Sequence, residues 1–95
     1  MNFEWDEEKN AINLAKHGFD FADASKIFDF PMVVDLDLRE NYGEDRWIGI
    51  GLLNGRVVVI VYTEINEQLI RIISLRKALS HERKRYEKYI KNRLG

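Results

Sequence analysis

The feature that most limits what this chain can fold into is a change of period at Met32. Before it, apolar residues recur three or four positions apart; after it, they recur at every second position as far as Ser74. The first spacing marks one side of a helix, and the second marks one face of a strand. Candidate strands therefore cover residues 32–37, 44–53, 57–64 and 68–74. Asn54-Gly55 between two of them is a type I′ hairpin signal, because both central residues of that turn need a positive φ. Residues 65–67 make a second short connection and Asn41-Tyr42-Gly43 a looser one, so the strands are expected to pair antiparallel. Ile48, Ile50 and Leu52 share one face and leave Gly49 and Gly51 on the other, where something must pack closely. The run 57–61 is apolar on both faces, which predicts a central strand buried on each side.

Two helices are expected ahead of the sheet and one after it. Asp6 is placed as an N-cap with Glu7 and Glu8 in the positive first turn, and the helix runs to Lys16 before Gly18 stops it. Ala11, Ile12 and Ala15 form its narrow apolar stripe. Residues 19–30 read as a second helix with Asp20 as cap, Phe21, Ala24, Ile27 and Phe28 on one face, and Pro31 as terminator; the two should form a hairpin. Ser80 opens a final amphipathic helix whose Tyr86, Tyr89 and Ile90 face the core. The order helix, helix, four strands, helix defines an α+β fold with helices segregated onto a four-stranded antiparallel sheet. At 95 residues the whole chain, 1–95, fits one domain.

Composition removes several functions. No cysteine is present, which excludes disulfide scaffolds, thiolate zinc sites and cysteine nucleophiles and fits a reducing compartment. No stretch is long and apolar enough for a membrane span, and the acidic start is unlike a secretion signal, so a soluble cytoplasmic protein is expected, with no membrane partner. The net charge of −1 conceals an asymmetry: residues 1–37 hold nine acidic and three basic side chains, residues 71–95 nine basic and two acidic. A basic end suits a phosphate backbone or an acidic protein partner.

Candidate chemistry follows from residue type. His17, beside Lys16 at a helix end, could exchange a proton with a ribose 2′-hydroxyl or a leaving 5′-oxygen, or could simply cap the helix as a cation. In the last strand, alternation puts Arg71 with Ile73 on one face and Ile72 with Ser74 on the other, and Arg76 and Lys77 follow. Guanidinium groups match phosphate oxygens and can stabilise a phosphorane without a metal; equally, they could pair with the acidic first helix. Glu44 and Arg46 point to one side and could act as base and phosphate clamp, or pair with each other. Asp35 and Asp37 are a weak metal signal with no nearby histidine, and neither metal nor cofactor is expected. Arg83 and Lys84, interleaved with Tyr86 and Tyr89 on the last helix, suit RNA phosphates and bases. The alternatives to catalysis are a non-catalytic nucleic-acid binder and a protein-interaction module using the same basic helix.

Taken together, Phe3-Glu4-Trp5-Asp6, Lys9, Asn13, Lys16-His17-Gly18, Phe21, Ala24, Phe28, Tyr42-Gly43-Glu44 with Arg46, and Arg71 to Ala78 with Glu82 and Tyr86 resemble the BrnT toxin family over almost the full chain. The resemblance implies a RelE-like fold and a type II toxin–antitoxin role: an endoribonuclease that inhibits translation. It also implies a BrnA-type antitoxin with a ribbon-helix-helix part, in a heterotetramer that reaches DNA only through the antitoxin. It puts His17, Glu44, Arg46, Arg71 and Arg76, with Lys16 assisting, first among catalytic candidates, and Lys77, Arg83 and Lys84 among RNA contacts. The expected reaction is attack of the 2′-hydroxyl on the adjacent phosphorus, with Glu44 or His17 as base, leaving a 2′,3′-cyclic phosphate. Leu75 departs from the small residue usual in the family, a difference of packing rather than chemistry.

Overall fold

A computed structural model describes all residues, Met1–Gly95. Its elements are β1 (Asn2–Glu4), α1 (Glu7–His17), a 3₁₀ segment (Phe21–Asp29), β2 (Val33–Leu36), β3 (Trp47–Leu53), β4 (Arg56–Asn66), β5 (Leu69–Lys77) and α2 (Ser80–Leu94). The sheet has five strands in the order β1-β5-β4-β3-β2, and β1 runs parallel to β5 while the other pairs are antiparallel. This corrects the four-stranded antiparallel sheet: Asn2, Phe3 and Glu4, too short a run to announce a strand, pair with Leu69, Ile70 and Arg71. The start of the second predicted strand, 44–53, also moves, since Glu44 lies in the loop before β3 (Trp47–Leu53). No helix is long and apolar enough to cross a membrane.

The hairpin between β3 and β4 turns at Asn54-Gly55, both with positive φ (50° and 79°) as a type I′ turn requires. β4 is the central strand, and its alternate residues divide the core in two. Val58, Ile60 and Tyr62 join Leu53, Ile70, Ile72 and Leu75 under Phe19, Phe21, Ala24 and Ile27. Val59 joins Ile50, Ala78 and Tyr86 on the other face, with Leu52, Val57 and Ile90 packed around them. Gly49 and Gly51 sit beneath the first cluster: a Cβ on Gly51 would lie 2.7 Å from Ile27 Cγ2 and 3.2 Å from Met32 Cγ. The glycines therefore let Ile27 reach the sheet, the close approach expected from their alternation.

The second predicted helix is instead a nine-residue 3₁₀ segment. Phe21, Ala24 and Ile27, all fully buried, are spaced by three, the period of a 3₁₀ helix, so each stacks directly over the last. Asp20 caps it as expected, its Oδ1 accepting the Ala22 N–H at 2.9 Å. Phe28 packs against the rings of Phe3 and Tyr62, each 5.2 Å away between centroids.

Helix α1 overturns its expected apolar stripe. Ile12 is 65% exposed, and the residues the helix buries are Asn10 and Asn13. Asn10 Oδ1 accepts the Phe21 N–H (2.8 Å) and its Nδ2 donates to Asp20 (3.0 Å), which ties α1 to the 3₁₀ segment. Asn13 accepts the Leu75 N–H (3.2 Å) and donates to the carbonyls of Leu75 (2.8 Å) and Phe19 (3.2 Å). Because β1 covers only the start of β5, the backbone at Leu75 faces the edge of the sheet without a strand, and the Asn13 carboxamide takes the place of one. The physical need was for hydrogen bonds at an edge rather than for apolar area, so a polar face turned inward.

Candidate functional site

The site begins with an irregularity in β5. Ser74 pairs with Val61 but Ile72 pairs with Tyr62, leaving Ile73 as an extra residue in the strand. β4 is regular against β3, so Val59, Val61 and Thr63 share one face, and so do their partners Arg76, Ser74 and Arg71. Plain alternation had put Arg71 with Ile73, and Ile72 with Ser74. The bulge corrects this, directing Ile72 and Leu75 into the core together while Arg71, Ser74 and Arg76 line the other face. Leu75 is fully buried there, on the opposite side from Ser74 and Arg76.

Helix α2 covers only half of that outer face, although Val61 and Thr63 beyond it are themselves buried. Tyr86 and Ile90 of α2 lie over Leu52, Val57 and Val59, and the Tyr86 hydroxyl donates to the Pro31 carbonyl at 2.8 Å. The strip of Ser74, Val61 and Ile48 lies beyond this contact. On one side of it, His81, Glu82 and Arg85 at the start of α2 form a recess of about 230 Å³ with Asp35, Ile48 and Ile50. Thr63 and Arg71 occupy the next row, with Arg46 leading into β3 beside them: Thr63 Oγ1 donates to the Asp45 carbonyl at 2.7 Å. Arg39 lies close enough to Arg76 for their charges to oppose each other.

Each arginine of the strip meets a carboxylate. Arg76 makes a two-pronged bond to Glu82 (2.8 and 2.9 Å), Arg71 bonds Glu4 (2.7 Å) and Arg85 bonds Asp35 (2.7 Å). Arg39 grips Asp37 through two nitrogens (2.9 and 2.8 Å). Asp35 and Asp37 thus each serve an arginine. Arg46 is the least satisfied: Glu44 is 3.5 Å from its Nε, that nitrogen is buried without a hydrogen-bond partner, and the guanidinium rests 4.0 Å above the Tyr42 ring.

Arg76 holds the Glu82 carboxyl at about 2, well below its ordinary 4.5, and the Leu79 N–H bonded to it adds to the effect. Arg39 holds Asp37 at about 2 in the same way. For both groups the folded value lies below the unfolded one. Their stabilisation is therefore complete above the ordinary carboxylate range and is lost as pH falls toward 2. Glu82→Gln should accordingly lower the melting temperature at neutral pH and flatten its decline between about pH 4.5 and 2. An unchanged acid profile in that variant would place the pH dependence elsewhere.

The structure brings Glu44, Arg46, Arg71 and Arg76 to this face. Lys16 and His17 are not among them: α1 lies along the β5 edge with the 3₁₀ side of the sheet, and both residues are exposed at its end. Lys77 points away from the strip, opposite Val58, and meets Arg83 and Arg56 in a separate recess at the hairpin end. Lys84 is exposed on α2. Sequence reasoning passed over His81, Arg39 and Arg85. His81 carried one usable signal, its place at the first turn of the helix that follows Arg76. The largest concavity, about 1040 Å³, lies between Phe30, Leu52, Val57 and Ile90, with Glu87, Lys91 and Arg93 of α2 also in its wall.

A small α+β domain that lines the sheet face beyond its last helix with arginines has the build of a ribonuclease toxin. Residues 5–82 match the family described as the ribonuclease toxin BrnT of type II toxin–antitoxin systems. The crystal structure of the Brucella abortus ribonuclease toxin BrnT is similar to it, with a TM-score of 0.65 and 30% identity over 84% of this chain and 99% of that one. No curated protein matches the chain. The chain belongs to the BrnT family.

Proposed function

We propose that this protein is a metal-independent endoribonuclease that stops translation by cutting RNA, with the scissile phosphate seated on the strip. The observation that carries this reading is the presence of Arg71, Ser74 and Arg76 together on the sheet face beyond α2. Two guanidiniums at such a spacing can bind non-bridging phosphate oxygens and stabilise the added charge of a phosphorane. Their carboxylate partners do not forbid this. An exposed ion pair such as Arg71–Glu4 is worth only about 0–1 kcal/mol, so a phosphate can displace the carboxylate. Arg76, fixed by Glu82, keeps its fork in one orientation. A phosphate oxygen would also supply the acceptor that the buried Arg46 Nε lacks.

In the proposed step the Glu44 carboxylate takes the proton of the 2′-hydroxyl, the 2′-oxygen bonds to phosphorus and the bond to the 5′-oxygen breaks. The products are a 2′,3′-cyclic phosphate and a 5′-hydroxyl. Arg83 and Lys84 hold flanking phosphates together with Lys77, which shares a recess with Arg83, whereas Lys16 and His17, exposed at the end of α1, take no part in this step. Incubating the purified protein with a defined RNA in EDTA, and identifying the ends formed, tests the reading. Cleavage with cyclic ends is expected. RNA left intact both there and in a translating extract would replace catalysis with a binding or interaction role.

The partner we propose is a BrnA-type antitoxin whose ribbon-helix-helix part dimerises and binds DNA, giving two toxins per complex. The mass of the co-expressed complex by light scattering tests that stoichiometry: a one-to-one assembly would overturn it.

A further inference from the structure

The strip holds cations for a phosphate and a carboxylate for the attacking hydroxyl, but the leaving 5′-oxygen still needs a proton. We propose that His81 supplies it as general acid; this rests on the ribonuclease reading above. An imidazole exchanges protons near neutral pH, where arginine stays protonated and carboxylates stay ionised. The chain has two histidines. His17 is exposed at the end of α1, and Phe19, two residues on, packs in the core cluster on the sheet face opposite Arg71 and Arg76. His81 opens onto the recess shared with Asp35, Ile48, Ile50, Glu82 and Arg85.

Its surroundings fit the role. When protonated, the His81 ring is near enough to Glu82 to favour that residue's ionised form, and Glu82 is the carboxylate bonded to Arg76 at 2.8 and 2.9 Å. The proton donor thus stands next to the guanidinium that would hold the phosphate. Arg46 and Glu44, on the far side of the Ser74–Val61–Ile48 strip, stand where the attacking 2′-hydroxyl would be deprotonated. Base and acid on opposite sides of a phosphate are what an in-line displacement needs, because the entering and leaving oxygens lie on opposite sides of phosphorus. The charged groups lining the recess with His81 are Asp35 from β2 and Glu82 and Arg85 from α2 itself, and Arg76 of β5 reaches the same Glu82. As the 2′-oxygen–phosphorus bond forms and the phosphorus–5′-oxygen bond breaks, the leaving oxygen takes the His81 proton and water later restores it.

The test uses the full chain and a short RNA containing a scissile bond mapped with the wild-type protein. It is made once with its natural 5′-oxygen and once with sulfur in that bridging position, since a thiolate departs without a proton. His81→Ala should slow cleavage of the natural RNA about 10²- to 10⁴-fold, the usual contribution of general acid catalysis. It should cut the sulfur-bridged RNA at close to the wild-type rate, and His17→Ala should cut both normally. His81 is exposed, so its removal spares the core, and an unchanged melting temperature verifies this. Near-wild-type cleavage of natural RNA by His81→Ala, or an equal loss on both substrates, overturns the assignment and leaves the ribonuclease reading standing. Failure of the wild-type protein to cut RNA removes both.

Discussion

Arg71→Ala should lose about 10²- to 10³-fold in RNA cleavage, the usual effect of deleting one preorganised donor to a developing oxyanion. It should do so with its melting temperature nearly unchanged. Its partner Glu4 is itself well exposed, so the lost pair costs the fold little and frees a carboxylate into water rather than into a core. Arg76→Ala should lose as much activity and also some stability, because Glu82 is then deprived of both prongs of its bond. Arg76→Lys separates the two causes. Lysine restores the charge but not the planar fork, so activity should recover only in part. Rates on a defined RNA in EDTA, alongside affinity for an uncleavable analogue, are the measurements. Wild-type rates in both alanine variants would move the phosphate to another surface.

The largest loss of stability should come from Asn13→Leu, although leucine is apolar, similar in bulk and a better helix former. The substitution leaves the Leu75 N–H, the Leu75 carbonyl and the Phe19 carbonyl facing an apolar side chain. Each stranded buried group costs about 1–3 kcal/mol. Together they amount to a large part of the whole stability of a domain of this size, about 5–14 kcal/mol. Urea unfolding of Asn13→Leu beside Ile12→Leu, at a position in water, should show a collapse in the first and little change in the second. Equal midpoints would mean that α1 does not hold the β5 edge.

These two cases show what could be read from residues alone. Strands β2 to β5 were legible because alternation records which face is buried, and the β3–β4 turn because Asn54-Gly55 suits positive φ. α1 was legible as a helix from its ends, Asp6 and Gly18, but not in its orientation. The partner of Asn13 lies 62 residues away at a strand edge, and an edge left free by a short β1 is invisible until the sheet is assembled. The 3₁₀ segment escaped notice because Phe21, Ala24 and Ile27 satisfy a spacing of three within the helical pattern as well.

The site divides along the same line. Arg71, Arg76, Glu44 and Arg46 could be chosen by type, since fixed cations and a carboxylate suit phosphate chemistry wherever they stand. Their common face could not, because it depends on Ile73 being the unpaired residue of β5, and a bulge is a property of two strands in register. His17 drew attention through its visible position at a helix stop, whereas His81 was hidden among the charges of a basic helix. Which of them meets the arginines is decided by the path of the sheet between them.

The half-covered face also bears on how such a toxin can be lost and kept. Under α2, Tyr86, Ile90, Leu52 and Val57 decide whether the polypeptide accumulates; beyond it, Arg71 and Ser74 stand outside that packing. Cells escaping the toxin can therefore do so in two ways. Lesions under the helix remove the protein and leave its antitoxin idle, whereas lesions on the strip leave a harmless decoy that still occupies it. The second kind would be silent in an assay of protein abundance and dominant over a neighbouring intact copy only if the decoy frees none of the antitoxin that the intact copy needs.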